Sequence, residues 1–472
     1  MPLKTSSSDA AFKSNLKAEI AAGKPKHATR HARKEKVRFM TKEIPRKEDL
    51  KDISDAVCMF VDHGLFISQA LRLAQDFKKV YVYTPWESGF PNMTSLIGTG
   101  YDEIEVVLSP FPYMDEVDVW VFPDVNHGPL QQYLADQGKA VWGCKTGECA
   151  ELDREGMKLI LKALDLPVGK FTHIVGLDNL RVFLQENDGK TFYCKVSRWR
   201  GTFETFACKH YRDVEPKINQ IEHKIGPLKD VIEFTVEEEL ADRVEVGTDG
   251  FVIDGKQPSQ LMAGIEVKDL CYVGKFLKYK DLPEPVRRFN DRMEPVFKAW
   301  EYRGWMSSEV RIGKDLSPFM IDACTRSPSP PNECWQLIYK NFSEIIYYGA
   351  HGIVVDPEPA ATYGAEILIH SSWAPGNWQP VNIDPEVREF VKLRNSMKFG
   401  DREYISPIQG ELPEIGAVVG LSDESIEDAI EQAFANAEGV SGYYIDIPKA
   451  STETALEQIK KLDELGLNYF KD

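Results

Sequence analysis

The sequence predicts a mixed fold, an open parallel α/β sheet followed by an α+β region with antiparallel hairpins, on three observations. Apolar runs alternate with helical periodicity from Ala56 to about residue 145. The middle of the chain interleaves strand-like runs with charged helices, and a strand–helix–strand pattern closes it over 414–447. At 472 residues the chain exceeds one ordinary core, so domains of ~100–200 residues are expected.

The first domain begins at AVCMFV (56–61), continues through a helix with Ile67, Ala70, Leu71, Ala74 and Phe77 on one face, and returns in VYVY (80–83). IEVVL (104–108), VDVWVF (117–122), a helical stretch around 128–137 and AVW (140–142) extend a doubly wound sheet over about 51–150. Ligands of such sheets sit at the strand C-terminal ends, where His63 and His127 fall; a plain loop role for both is the alternative. GTG (98–100) lacks the context of a dinucleotide fingerprint and reads as a turn.

A helix EGMKLILKAL (155–164) ends near Pro167, and RVFLQ, TFYCKV, VIEFTVEEEL and GFVID read as strands of an α+β region over 151–350. The segment 351–472 forms a small C-terminal α+β domain. Within it a helix capped by Ser422 turns Ile426, Ile430, Ala433, Phe434 and Ala437 inward.

Composition excludes several classes. With 43% hydrophobic and 28% charged residues and no long apolar run, no membrane span is expected. Eight scattered cysteines without a CxxC pair, and no apolar leader, suit a reducing cytoplasm rather than secretion or a structural zinc site. The net charge is −17, yet residues 1–50 carry 13 Lys/Arg against 6 Asp/Glu. The acidic body repels polyphosphate unless local cations or Mg²⁺ compensate, so nucleic acid is a partner only through the basic tail, which reads as disordered.

Activating a carboxylate with ATP requires cations for the phosphates, a hinge for adenine and acids for Mg²⁺. TFYCKVSRWRGTF places Lys195 before a turn containing Gly201, where an ammonium and a closing loop can meet phosphates, and Lys158 offers a second charge. VIEFTVEEEL ends a strand at Glu237-Glu238-Glu239-Leu240, with Glu245 following before GTDG, read as a turn. YRGWMSSEVRI (302–312) and PFMIDACTRSPSPP (318–331) read as adjacent strands presenting Glu309 beside Asp322, with Arg326 four residues on. Two carboxylates sharing a face call for a cation. The alternative for Glu309, Asp322 and Arg326 is a salt-bridged cluster on a sheet.

This order resembles the ATP-grasp superfamily, and over about 55–450 it resembles glycinamide ribonucleotide synthetase (phosphoribosylamine–glycine ligase). EGMK (155–158) is similar to that family's EGSK segment, and PDVNHGPL (123–130) sits where the family has GPE-x-PL. The resemblance implies an ATP-grasp fold behind a pre-ATP-grasp domain. Lys158, Lys195 and Gly201 would face the phosphates, Glu237, Glu238 and Leu240 the adenine, Glu245 the ribose, and Glu309 and Asp322 Mg²⁺. Lys195 and Arg326 would act on the transferring phosphoryl group.

The departures are equally specific. VDHGLFISQA (61–70) replaces the family's glycine-rich loop, the Glu of GPE-x-PL is missing, and the phosphate loop is reduced to SRWRGTFETF. Cys324 stands where the family has an Asn ligand, and thiol is a poor partner for a hard cation. The resemblance therefore implies a carboxylate–amine ligase acting through an acyl phosphate on a small-molecule carboxylate and an amine other than phosphoribosylamine. The competing expectation is a non-catalytic relative that keeps the fold for binding or assembly.

Overall fold

The computed structural model describes residues 44–85, 93–196, 205–407, 413–467, 469 and 470. Gly201, most of the SRWRGTFETF loop and residues 1–43 of the basic tail lie outside the described residues.

Five strands, β1 (Val57–Val61), β2 (Lys79–Tyr83), β3 (Glu105–Val107), β4 (Val119–Val121) and β5 (Ala140–Trp142), form a parallel sheet in the order β3-β2-β1-β4-β5. Strand order reverses between β1 and β4, which opens a crevice beyond their C-terminal ends. The helix Ile67–Leu73 is shorter than its apolar pattern suggests: Ile67, Ala70 and Leu73 are buried in it, while Phe77 is buried beyond its end.

A second, antiparallel sheet has the order β6 (Phe171–Val175), β9 (Glu233–Glu238), β7 (Phe192–Val196), β8 (Thr205–Cys208). RVFLQ, expected as a strand, lies in the helix Leu177–Glu186. Gly176 enters that helix at φ 88°, and Leu177, Leu180 and Leu184 recur at helical spacing to bury one face, so the longer period overrides the β-prone triplet.

The largest sheet runs β14 (Pro318–Cys324), β13 (Arg303–Ile312), β10 (Val244–Ile253), β11 (Gln260–Val267), β12 (Cys271–Lys278), β15 (Tyr363–Ser371), β20 (Glu414–Ser422), β17 (Val391–Leu393), so strands from the C-terminal segment complete the sheet begun in the central one. GTDG is not a turn: it continues β10, where Gly247 to Gly250 pair with β13. A small sheet of β18 (Ser396–Phe399), β19 (Arg402–Ile405), β16 (Gln379–Ile383) and β21 (Val440–Gly442) lies beside it, and β22 (Ile445–Asp446) pairs with β15. The helix Ile426–Ala437 is capped by Ser425, whose side chain accepts from the Asp428 N–H; Ser422, expected there, instead donates to the Asp428 carboxylate.

Two contacts fix the first domain on the large sheet. The Gly143 N–H donates to the Arg303 carbonyl at 2.7 Å, and the Ser327 N–H donates to the Pro123 carbonyl at 2.7 Å. Between them Trp142 packs edge-on against Trp305, ring centroids 5.0 Å apart. Tyr272 lies across Gly264 and Gly274, where any Cβ would meet its ring within 2.7 Å, and its hydroxyl donates to Asp249 at 2.7 Å.

Asp249 also accepts from Ser307, but burial outweighs both bonds and pushes its carboxyl up to about 6. A carboxyl raised on folding gives stability that is full below its unfolded pKa and lost as pH rises through the folded one. Relative to the parent, Asp249→Asn should therefore gain about 2 kcal/mol as pH goes from about 4 to about 8. Urea unfolding at both pH values measures this, and a pH-independent difference would refute it.

Candidate functional site

The face that β6, β7 and β9 turn away from their helices looks onto β13 and β14. On that face Lys195 of β7 stands across from Thr235, and Glu237 of β9 across from Tyr193 and Phe171. The opposite face of the small sheet, with Cys194, Phe234 and Val236, is apolar and covered by helices. Period-2 alternation therefore delivers Lys195 and Glu237 to the same cleft.

The helix Arg154–Ala163 enters from the side, capped by Asp153, which accepts from the Gly156 N–H. One turn apart on its inner face are Arg154 and Lys158, both buried. Lys158 Nζ reaches Glu237 Oε2 at 2.9 Å, Lys195 Nζ lies 3.3 Å from Glu237 Oε1 and 3.0 Å from Asp322 Oδ2, and Arg154 donates to Asp322 Oδ1 at 2.6 Å. Five side chains thus alternate in sign along one line.

Burial pulls Lys158 below the usual lysine range; Lys195, equally buried, is held above it because Asp322 and Glu237 outweigh the same penalty. Burial would raise Asp322, but Lys195, Arg154 and Lys158 hold it well below the carboxylate range.

Glu309 is the direct cross-strand partner of Asp322, and the register slips at the next residue so that Ile321 bulges. The Ile321 and Met320 carbonyls then meet Lys195 and Lys158 at 3.3 and 3.4 Å. Burial, Glu266, Glu245 and Asp322 together push the Glu309 carboxyl well up, and burial with Glu245 and Asp249 pushes Glu266 up to about 8. This side of the cleft is poor in positive charge, in contrast to the side around Lys195.

Among the described residues no three His, Cys, Asp or Glu side chains form a ready metal cage. The Glu309–Asp322 pair fits Mg²⁺, which takes one or two carboxylates and completes its shell with phosphate oxygens and water. Cys324 is buried and its thiol lies 3.8 Å from the Arg326 carbonyl, consistent with a packing role for the position expected to hold an Asn ligand.

The structure thus brings together Lys158, Lys195, Glu237, Glu309 and Asp322. At the hinge, the Glu238 N–H closes onto the Lys170 carbonyl at 3.0 Å, and Leu240 packs near Gly169. Glu245 faces the cleft but is engaged by Arg311 at 2.8 Å. Arg326 is engaged away from Lys158 and Lys195, by Glu151 at 3.2 Å and Asp124 at 3.7 Å at the crevice of the first domain. Sequence reasoning missed Arg154, which its i,i+4 spacing from Lys158 could have revealed, and Glu266, which carries no local signal. His63 and His127 do meet, with Nε2 atoms 2.9 Å apart.

An antiparallel sheet closing over a larger one, with paired lysines between them and a parallel domain in front, is the ATP-grasp fold, and the chain has it. Among solved structures it is similar to phosphoribosylamine–glycine ligase from Thermotoga maritima, with 14% identity, a TM-score of 0.62, and 83% of this chain and 99% of that one covered. An ADP complex of N5-carboxyaminoimidazole ribonucleotide synthetase matches with 14% identity and a TM-score of 0.56 over 81% and 96% of the two chains. The biotin carboxylase domain of 2-oxoglutarate carboxylase from Hydrogenobacter thermophilus, solved with MgADP and bicarbonate, matches with 10% identity and a TM-score of 0.60 over 86% and 98%. No family model and no curated protein sequence matches the chain.

Because Lys158 is buried against Glu237, Glu237→Gln leaves an ammonium without its counter-charge. The variant should lose roughly 3 kcal/mol of stability in urea unfolding. A loss under about 0.5 kcal/mol would mark the pair as solvated and energetically idle.

Proposed function

We propose that the protein is an ATP-dependent carboxylate–amine ligase that works through an acyl phosphate. The observation that supports this most is the alternating line Arg154–Asp322–Lys195–Glu237–Lys158 set against the cation-deficient pair Glu309 and Glu266. A magnesium-bound triphosphate supplies what each side lacks, anionic oxygens for the ammoniums and a divalent charge for the acids.

Glu309 and Asp322 would hold Mg²⁺, which when bound neutralises the phosphate oxygens and polarises the γ-phosphoryl group. Lys158 and Lys195 exchange their carboxylate partners for phosphate oxygens. The strand end at Glu238–Leu240 would receive adenine, and Glu245, held by Arg311, would accept from ribose hydroxyls.

The carboxylate substrate attacks the γ-phosphorus, the bond to ADP breaks, and the acyl phosphate forms with Lys195 spreading the developing charge. A neutral amine then attacks the acyl carbon, an amide C–N bond forms, and phosphate departs with the C–O electron pair and takes up the proton that the amine nitrogen gives up. Arg326, paired with Glu151 and Asp124, would turn to the acyl phosphate as it meets the amine. The related solved structures include enzymes named as ligases and synthetases, which supports this reaction class.

A thermal-shift titration with Mg-ATP tests the reading. At about 100 times its Kd the nucleotide should stabilise the fold by ~2.7 kcal/mol, and Asp322→Asn, less stable than the parent without nucleotide, should lose most of that gain in Mg²⁺. Absence of any shift at millimolar Mg-ATP, or an unchanged shift in both Asp322→Asn and Lys195→Ala, would refute it.

A further inference from the structure

The crevice between β1 and β4 is the place where a doubly wound sheet takes its ligand, and here it is furnished unusually. Backbone N–H groups at helix starts normally make such crevices into phosphate seats. In this chain the protein's own carboxylates occupy them. Glu148 Oε2 accepts from the Gly128 N–H at 2.9 Å, at the first residue of the helix Gly128–Asp136, and sits so close that a Cβ on Gly128 would meet its carboxyl carbon at 2.4 Å. Asp62 Oδ2 accepts from both Gly64 N–H and Phe66 N–H at 2.9 Å each, in the loop that leaves β1.

Asp62 is also the second, independent pointer to a ligand. It is only 3% exposed, and its other oxygen, Oδ1, has no hydrogen-bond partner among the described residues, although an unpaired buried carboxylate oxygen is costly. Asp124, 22% exposed, is the charged neighbour that joins burial in pushing the Asp62 carboxyl up to about 7, and Arg326 pairs with Asp124 and with Glu151. His63 and His127 close the crevice side by side, both shifted down by burial and so neutral at pH 7. His127 holds a left-handed backbone, φ 59°, immediately before Gly128. The result is a crevice lined by carboxyl groups whose helix-start amide donors are already satisfied.

We infer that this crevice binds a cationic amine that carries no phosphate group, the ammonium seated among Asp62, Asp124 and the His63–His127 pair, and that Glu148 and Asp62 exclude phosphorylated amines by filling the amide sites a phosphate would need. In naming this amine as the acceptor, the inference rests on the ligase reading. A phosphate entering here would have to displace two carboxylates and then lie beside Asp124, whose charge Arg326 already shares with Glu151.

The test uses the full chain without ATP. Histidine ring resonances are followed by NMR, with His127 identified by its loss in His127→Asn, while ethanolamine, O-phosphoethanolamine and inorganic phosphate are titrated separately. Ethanolamine should move the His127 signal with an affinity about tenfold or more above that of O-phosphoethanolamine. Glu148→Ala, which empties the helix terminus, should raise the affinity for inorganic phosphate by about tenfold; Glu148→Gln, which keeps the hydrogen bond and drops the charge, serves if the alanine variant does not fold, and should also weaken the discrimination. The inference is overturned if O-phosphoethanolamine or phosphate moves the parent's His127 as readily as ethanolamine, if ethanolamine moves it not at all, or if the Glu148 variant that folds discriminates like the parent. Because no arm contains nucleotide, a failed Mg-ATP titration removes the ligase reading and leaves this result standing by itself.

Discussion

The structure depends on a line of charges that no single element could hold. Arg154 and Lys158 come from one helix, Lys195 and Glu237 from the small sheet, and Asp322 from the large one, yet each has its counter-charge within 3.3 Å. Removing an ammonium from water costs several kcal/mol, so Lys158 and Lys195 can be buried only while Glu237 and Asp322 stand beside them. The line ties the two sheets together. Under the proposed function it would also keep the lysines ready, since a phosphate can replace a carboxylate without the ammonium crossing an apolar barrier.

The two sides of the cleft are complementary by construction. Around Lys195 three cations alternate with two carboxylates, whereas burial and neighbouring carboxylates push both Glu309 and Glu266 up. The bulge at Ile321 joins the two sides. It lets Asp322 serve the charge line while staying opposite Glu309, and it brings carbonyls to both lysines.

Features with a short period are legible in the amino-acid order alone. The alternation in TFYCKV and VIEFTVEE puts Lys195 and Glu237 on one face, and the two strand-like runs around Glu309 and Asp322 mark that pair as cross-strand neighbours. The parallel domain is readable from its apolar runs for the same reason. Local pattern misleads where two periods compete or where tertiary pairing decides: RVFLQ is β-prone but buries Leu180 and Leu184 as a helix, and GTDG has turn composition but is held straight by β13. The partners of Arg326, Asp124 and Glu151, have no local signature because they lie far back in the chain and only domain docking brings them near. The burial that shifts Glu266, and the use of Glu148 as a helix-terminus ligand, likewise have no local signature.

The docking of the first domain sets the relation between the two halves of the site. β14 carries Asp322 to the phosphate side, and four residues later Arg326 stands in the crevice, with the next N–H bonded to the Pro123 carbonyl at the end of β4. Four residues of extended chain span at most about 14 Å, so the phosphoryl cleft and the crevice cannot drift apart by more than a small-molecule length. Trp142 packs on Trp305 across the same boundary. The small sheet carrying Lys195 meets the floor of β13 and β14 through the charge line, which crosses between them twice, at Lys158–Glu237 and at Lys195–Asp322. A nucleotide bound as proposed would take the place of both contacts, so that closure of the cleft would depend on the ligand that fills it.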